Sequence, residues 1–455
     1  MPELVVKGGL VVSPEGRHLA DLAISGGRVV AVGDLEVAGT AIDASGLLVL
    51  PGMVDTHVHL MDPGPTERED FLTGTRAAAA RGVTTIVEHT HAHPLRRPKD
   101  LAEKRSHLDG RSNVDFGLAA HLWPEDIPGM AAMWAAGATF FKMFTCTTHG
   151  VPGLDAASVD AALKRLAGFG GRALVHCEDE SLTALAEKTL KESGRVDPAL
   201  LTEWRSREAE LVAVAAVSVL ALTSEAAVTL AHVSNPMAAG IVSTARRQGA
   251  DLAAEACPQY FALDESEVIE LGPLRKFTPP ARITSERDRV AMWNTLGKGA
   301  YSHIATDHAP STLEQKSNGD MWSAPFGLPG LDTTLPYFLD AAFDGRMEVE
   351  DVVRLYSAAP ARRYGLSPRK GALQVGSDAD FVLVDPDGLW EVRDEDIHSK
   401  AGWSPFTGRV FRGSIVAAYL RGRLVAENGR AADERNGHFI PGPGADRGGT
   451  TSVGE

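Results

Sequence analysis

Pro51-Gly52-Met53-Val54-Asp55-Thr56-His57-Val58-His59 is a turn followed by a short apolar strand that ends in two histidines. In a strand, residues two apart share a face, so both imidazoles point to the same side. Similar short apolar runs recur downstream at 83–87, 114–118, 139–143, 173–176, 228–232, 251–255 and 302–306. Helix-like stretches separate them, at 71–81, 130–136, 156–169 and 208–223 among others. Strand–helix alternation predicts parallel strands with crossover helices. With 53–57 as the first, eight such strands span about 51–365 and predict an α/β fold, a (β/α)₈ TIM-like barrel. Its active site would lie at the C-terminal strand ends.

The ends of the chain have another texture. Residues 4–6, 10–12, 22–24 and 29–32 are β-rich, and the Gly-Gly pairs at 8–9 and 26–27 predict hairpins. Strands return at 379–384, 410–411 and 415–420, with a turn at 421–423. Residues 1–50 and 366–430 are therefore expected to build one small β-sandwich domain, with 51–365 as the catalytic barrel. Residues 431–455, rich in Gly, Pro and charge, read as a flexible tail or an arm against a neighbour.

The chain has 455 residues, 44% of them hydrophobic, which is ample for a large core. A formal net charge of −15 and the absence of a Lys/Arg-rich run argue against nucleic acid as a partner. Three cysteines, Cys146, Cys177 and Cys257, do not make a disulfide framework and fit reduced thiols. No apolar run approaches the roughly 20 residues needed to span a bilayer. The N-terminus lacks the regions of a signal peptide, so the expected location is cytoplasmic, away from membranes.

His57-x-His59 alone also fits two hydrogen-bonded histidines near a strand end. The other candidates fall at the ends of later strands: His176, His232 and Asp307, the last before His308-Ala309-Pro310. Lys142 lies inside Phe140-Phe141-Lys142-Met143-Phe144, where a charge is expensive. Burial favours its neutral amine, and a neutral amine can combine with carbon dioxide to give a carbamate whose two oxygens can bridge metal ions. Each residue has a bland reading alone. Four histidines, a lysine and an aspartate on five separate strands form a constellation, and imidazole and carboxylate ligands suit zinc and other borderline divalent ions.

Here the sequence resembles the cyclic amidohydrolases: allantoinase, hydantoinase or dihydropyrimidinase, and dihydroorotase. The anchors are residues 51–59, Gly82-Val83-Thr84-Thr85, Phe141-Lys142-Met143-Phe144, His176-Cys177-Glu178-Asp179, His232-Val233-Ser234, Pro279-Pro280-Ala281-Arg282, Asp307-His308-Ala309-Pro310 and Gly376-Ser377-Asp378-Ala379-Asp380. The resemblance implies that His57, His59 and Asp307 bind the more buried of two divalent ions. It implies that His176 and His232 bind the second, and that carboxylated Lys142 bridges both. It further implies a bridging hydroxide that attacks the ring carbonyl, with Asp307 as general base and then acid. Relatives of this kind commonly form tetramers or dimers. A catalytically silent homologue serving as a scaffold would have lost a ligand, and none is lost.

Substrate contacts are expected from Met61, His89, His91, Thr147, Ser311, Phe326 and Gly327. The departures from the resemblance are at these positions. Dihydroorotases hold a substrate carboxylate with an Arg, an Asn and a His where this chain has Met61, His91 and Ser311, so that activity ranks below a neutral ureide, hydantoin, dihydropyrimidine or imide. His89, His91 and His93 alternate, and an extended backbone would place all three on one face at the pocket mouth.

Overall fold

A computed structural model describes residues 2–36 and 39–445. Met53–Val58, Val83–Glu88 and Asp115–Leu118 pair in parallel as one three-stranded sheet. Ala120–His121, Phe141–Phe144, Arg172–His176, Ala227–Leu230, Leu252–Ala256 and His303–Ile304 form a six-stranded parallel sheet in that order. The two sheets meet at both edges. At one, the Thr139 amide donates to Leu118 O (2.9 Å). At the other, the His59 amide donates to His308 O at 2.8 Å. The chain is thus an α/β protein with parallel strands, buried almost throughout because helices cover them.

Local signals set the helices. Ala156–Phe169 starts where the Asp155 carboxylate accepts from the Ser158 amide and stops at Gly170, which has φ 70°. Its buried Val159, Ala162, Leu163 and Leu166 recur at helical spacing.

The end segments contribute to one nine-stranded mixed sheet. Leu4–Ser13, Gly16–Ser25 and Arg28–Gly33 are paired in sequence, and Leu48–Pro51 links Leu4–Ser13 to Phe381–Glu391. Val6, Leu22, Ile24, Val49, Phe381 and Leu383 share its core. The hairpin expected at Gly26-Gly27 is present, but Gly8-Gly9 sits within a strand, where the register shifts between Val6 and Gly9. A Cβ on residue 9 would lie 2.4 Å from Val49 Cγ2, so close packing is the reason for Gly9. Lys370 Nζ ties the three-stranded sheet to the segment leading into Phe381–Glu391 by bonding Asp115 (2.6 Å), Asp378 (2.9 Å) and Asp380 (2.6 Å).

The expected flexible tail is corrected as far as residue 445. The Phe116 amide donates to His438 O (3.0 Å), the Ile440 amide to Phe116 O (2.7 Å) and the Gly442 amide to Gly137 O (2.8 Å). Ile440 is buried beside Val54, Val87, Ala119 and Phe140. Isolated apolar residues among glycines and prolines carry too little pattern to show such docking. Residues 446–455 lie outside the described residues. Among the described residues, no helix is long and apolar enough to cross a membrane.

Candidate metal centre and substrate cavity

Met53–Val58 and the residue after it project His57 and His59 to one side, and Asp307 meets them from just beyond His303–Ile304. Asp307 Oδ1 lies 3.1 Å from His57 Nε2 and 3.4 Å from His59 Nε2. Lys142 Nζ lies 3.3 Å from His57 Nε2. His176 and His232 complete the floor, their ring centroids 4.6 Å apart and His232 5.5 Å from His57. All six sequence-predicted ligands line one cavity of about 270 Å³.

Buried carboxylates orient the rings. His57 Nδ1 donates to Glu255 Oε1 (2.6 Å), which also accepts the His232 amide (3.0 Å). His176 Nε2 donates to Glu178 Oε2 at 2.7 Å, and Glu178 is further held by Thr278 Oγ1 (2.8 Å) and Arg205 (3.3 Å). His59 Nδ1 donates to the His89 carbonyl at 2.9 Å. Such partners fix the tautomer and aim of each imidazole.

The electrostatics favour ligation. Burial raises the Asp307 carboxyl, but the surrounding His57, His59 and His232 outweigh it and hold the group below the usual carboxylate range. Burial pushes the Lys142 ammonium down to about 8, against the pull of Asp307 and Glu255. Burial, then the charge of His176, keeps His232 far toward the neutral imidazole.

His232 Nδ1 is buried without a partner. His57, His232 and Asp307 bring one donor atom each within 4.8 Å of one another. An orphaned nitrogen among imidazoles, a carboxylate and a neutralisable amine fits a borderline divalent cation.

Four of the cavity's residues have a left-handed backbone: Met61 (φ 56°), His149 (φ 54°), His232 (φ 36°) and Asp307 (φ 52°). Such conformations are costly outside glycine and concentrate at functional sites. Gly327, with φ 107°, has another reason to be glycine: a Cβ there would lie 2.2 Å from Ala309 O.

Of the residues expected to touch substrate, Met61, His91, Phe326 and Gly327 line the cavity. Ser311 lies behind it, its Oγ accepting from Arg68 Nε at 3.0 Å. Thr147 stands outside the lining, exposed, with its Oγ1 accepting from the Gly153 amide at 3.3 Å. His89 is buried behind His57 and His59, with ring centroids at 4.7 and 4.5 Å. The expected extended run through His93 does not occur: the strand ends at Glu88, the chain turns after Thr90, and His93 is exposed.

Arg68, His149, Lys276 and Trp322 line the cavity from loops and were missed, because no periodicity marks them. Glu255 and Glu178 were also missed as orienting groups. For Glu178 the available signal was an acid two residues after a ligand histidine, in His176-Cys177-Glu178; for Glu255 it was an acid inside the apolar strand Leu252–Ala256.

The amidohydrolase family pattern matches residues 48–425. The chain is 35% identical over 446 residues to an allantoinase of Rubrobacter xylanophilus, covering 96% of this chain and 97% of that one. It is 35% identical over 404 residues to a dihydroorotase of Halobacterium salinarum, covering 88% and 91%. The solved L-hydantoinase (dihydropyrimidinase) of Arthrobacter aurescens superimposes with a TM-score of 0.93 at 31% identity, covering 97% of this chain and all of that one. With this similarity along nearly its whole length and a His/Asp cluster able to hold metal, the chain belongs to the amidohydrolase family of metal-dependent hydrolases.

Proposed function

We propose that the chain hydrolyses the C–N bond of a small cyclic amide, with two divalent ions, zinc foremost, held by His57, His59, Lys142, His176, His232 and Asp307. The carrying observation is the convergence of these six side chains on one cavity in a chain similar over its length to an allantoinase. In this reading the parallel strands, with Asp115–Leu118 and Ala120–His121 counted as one, form a closed eight-stranded barrel, and residues 1–50 and 366–430 form a β-sandwich domain. Carbon dioxide would add to the neutral amine of Lys142 with loss of an amine proton to solvent, and the resulting carbamate would offer its oxygens to the ions beside the four histidines and Asp307. Bound ions supply Lewis-acid activation of water and of the scissile carbonyl.

The chain's own groups do the rest. Glu255 and Glu178 hold the His57 and His176 rings in place. Asp307, ionised and facing the cavity, takes the proton of the attacking water on a carboxylate oxygen and returns it to the departing ring nitrogen. Water is added across the bond, and the product is an acyclic amide or carbamoyl acid. Phe144, Phe326 and Trp322 wall a cavity sized for a single ring. The enzyme works in the cytoplasm as a dimer or tetramer, which light scattering after gel filtration would check.

Metal analysis with a ring-opening screen on allantoin, hydantoin, dihydrouracil, succinimide and phthalimide tests the reading. Two ions per chain and turnover of one ring support it. A protein that binds no ion after reconstitution with carbon dioxide, and opens no ring, refutes it.

One observation favours a second reading, a ring bearing a carboxylate such as dihydroorotate. Arg68 lines the cavity but, among the described residues, meets no carboxylate. Its Nε bonds Pro310 O (3.1 Å) and Ser311 Oγ (3.0 Å), and an Nη bonds Phe326 O (3.3 Å). Lys276 lines the cavity too; among the described residues its ammonium bonds the carbonyls of Trp322 (3.2 Å) and Ala324 (2.5 Å) and sits 4.3 Å from the Phe326 ring, with no carboxylate partner. Buried cations without an acid partner await an anion. Arg68→Met should then cost at least about 100-fold in kcat/KM on dihydroorotate, the size of a lost charge-assisted pair. Equal losses on dihydroorotate and hydantoin would remove this second reading.

A further inference from the structure

His89, His91 and His121 bring one nitrogen each within 4.8 Å of one another, on the wall beside the centre described above. His91 Nδ1 lies 3.1 Å from His121 Nε2. That contact is a ring-to-ring hydrogen bond, and its length is also close to the roughly 3.3 Å that separates two nitrogens about 2.05 Å from a tetrahedral ion, so an ion could replace the shared proton with little movement. Both ring nitrogens of His89, and Nδ1 of His121, are buried without a hydrogen-bond partner. Buried polar atoms are rarely left so; each neutral imidazole has one lone-pair nitrogen, and that of His89 meets no donor, so it is open to a ligand that takes a lone pair.

The surroundings leave few other ways to satisfy them. Among the described residues, no carboxylate hydrogen-bonds any of the three rings, so they are not held as imidazoliums by an acid. Their neighbours are rings: Phe140 at 5.5 Å from His89 and Phe144 at 5.1 Å from His91. Only His91 of the three reaches the cavity, while His121 stands behind it.

We propose that His89, His91 and His121 form an additional binding site for a borderline divalent cation, separate from the ions held by His57, His59, Lys142, His176, His232 and Asp307. An all-imidazole set suits zinc, cobalt, nickel or copper rather than magnesium or calcium. The ion would stand against the substrate cavity on the side that His91 lines.

The test is a metal count that does not depend on turnover. Full-length protein is stripped, reloaded with zinc or with cobalt, freed of loose metal by gel filtration and analysed by mass spectrometry. Wild-type protein should retain one equivalent more than His121→Leu, and one more than His91→Ala, which removes a half-buried ring and spares the core. Cobalt absorption should lose the contribution of one tetrahedral site in both variants. Lys142→Met should keep the ion at the three-histidine cluster whatever happens to the other centre, so failure of one site is told apart from failure of the other. Equal metal content in wild type and in folded His121→Leu and His91→Ala would overturn the proposal.

Discussion

Lys142→Met separates what the buried amine does for function from what it does to stability. Lys142 is 1% exposed and forms no ion pair closer than 4 Å among the described residues; its amine meets His57 Nε2 at 3.3 Å. Burial lowers its pKa from 10.5 to about 8. At 1.36 kcal/mol per pH unit, that fall corresponds to about 3 kcal/mol of destabilisation of the metal-free protein while the amine is protonated. The sign follows from proton binding. Between pH 8 and 10.5 the unfolded chain binds the proton and the folded chain does not, so stability rises with pH across that window. Below pH 8 both states are protonated and the full penalty is present. Methionine fills similar space without charge and forfeits only the contact with His57, about 1 kcal/mol.

Metal-stripped Lys142→Met should therefore be more stable than stripped wild type by about 2 kcal/mol at pH 7, with the difference closing toward pH 10.5. Urea midpoints at pH 7 and pH 10 measure this directly. On the proposed role of Lys142, the same variant should also lose nearly all ring-opening activity. A stripped variant less stable than wild type at pH 7, or one with an unchanged pH slope, would show that the amine is not held at a cost and would remove the argument for a reactive neutral lysine.

Three other outcomes follow from the geometry. Glu255→Gln keeps the shape of the acid that receives His57 Nδ1 and the His232 amide but removes its charge; metal affinity should fall roughly 10- to 100-fold, and excess metal should restore activity. Asp307→Asn should keep the fold and bind a ring inhibitor but lose turnover by at least about 100-fold, because the proton acceptor is gone; kinetics beside calorimetric binding would distinguish the two effects. Ile440→Ala should destabilise the chain by about 2 to 5 kcal/mol with a smaller effect on kcat/KM, since Ile440 fills a core yet does not itself line the cavity; a silent substitution would mean that the segment to residue 445 does not dock in solution.

The parts of the fold legible in the sequence were those with a period. His57 and His59 could be placed together because a strand repeats every two residues, and Lys142 stood out because Phe141, Met143 and Phe144 surround it with apolar side chains. The helix Ala156–Phe169 was readable to the residue, since Asp155 and Gly170 punctuate it. Reading stopped where regular structure stops. His89 and His91 were assigned to an extended run with His93, yet the chain turns, and His121 from the next strand takes the third place in the cluster. Arg68 and Lys276 reach the cavity from loops whose course depends on tertiary contacts. Gly8-Gly9 carried a turn's composition, but packing against Val49 decided the conformation instead.

The left-handed residues explain why the site escapes periodic reading. Asp307 and His232 follow the ends of parallel strands, and a positive φ there turns the backbone away while the side chain stays over the cavity. Each such residue costs on the order of 1 to 2 kcal/mol unless neighbours over-determine it. The neighbours that do so are the ones that also orient the ligands. Glu255 accepts the His232 amide and the His57 ring with the same oxygen. Asp55 accepts the Thr306 amide at 3.2 Å and the Tyr356 hydroxyl at 2.7 Å, tying the first strand to the segment that delivers Asp307. Met61 is pinned by its amide to Thr90 Oγ1 at 2.9 Å. Strain at the ligands and aim of the ligands are thus maintained by one buried set of acids and hydroxyls, so a change to any of them should move metal affinity and backbone stability together rather than one alone.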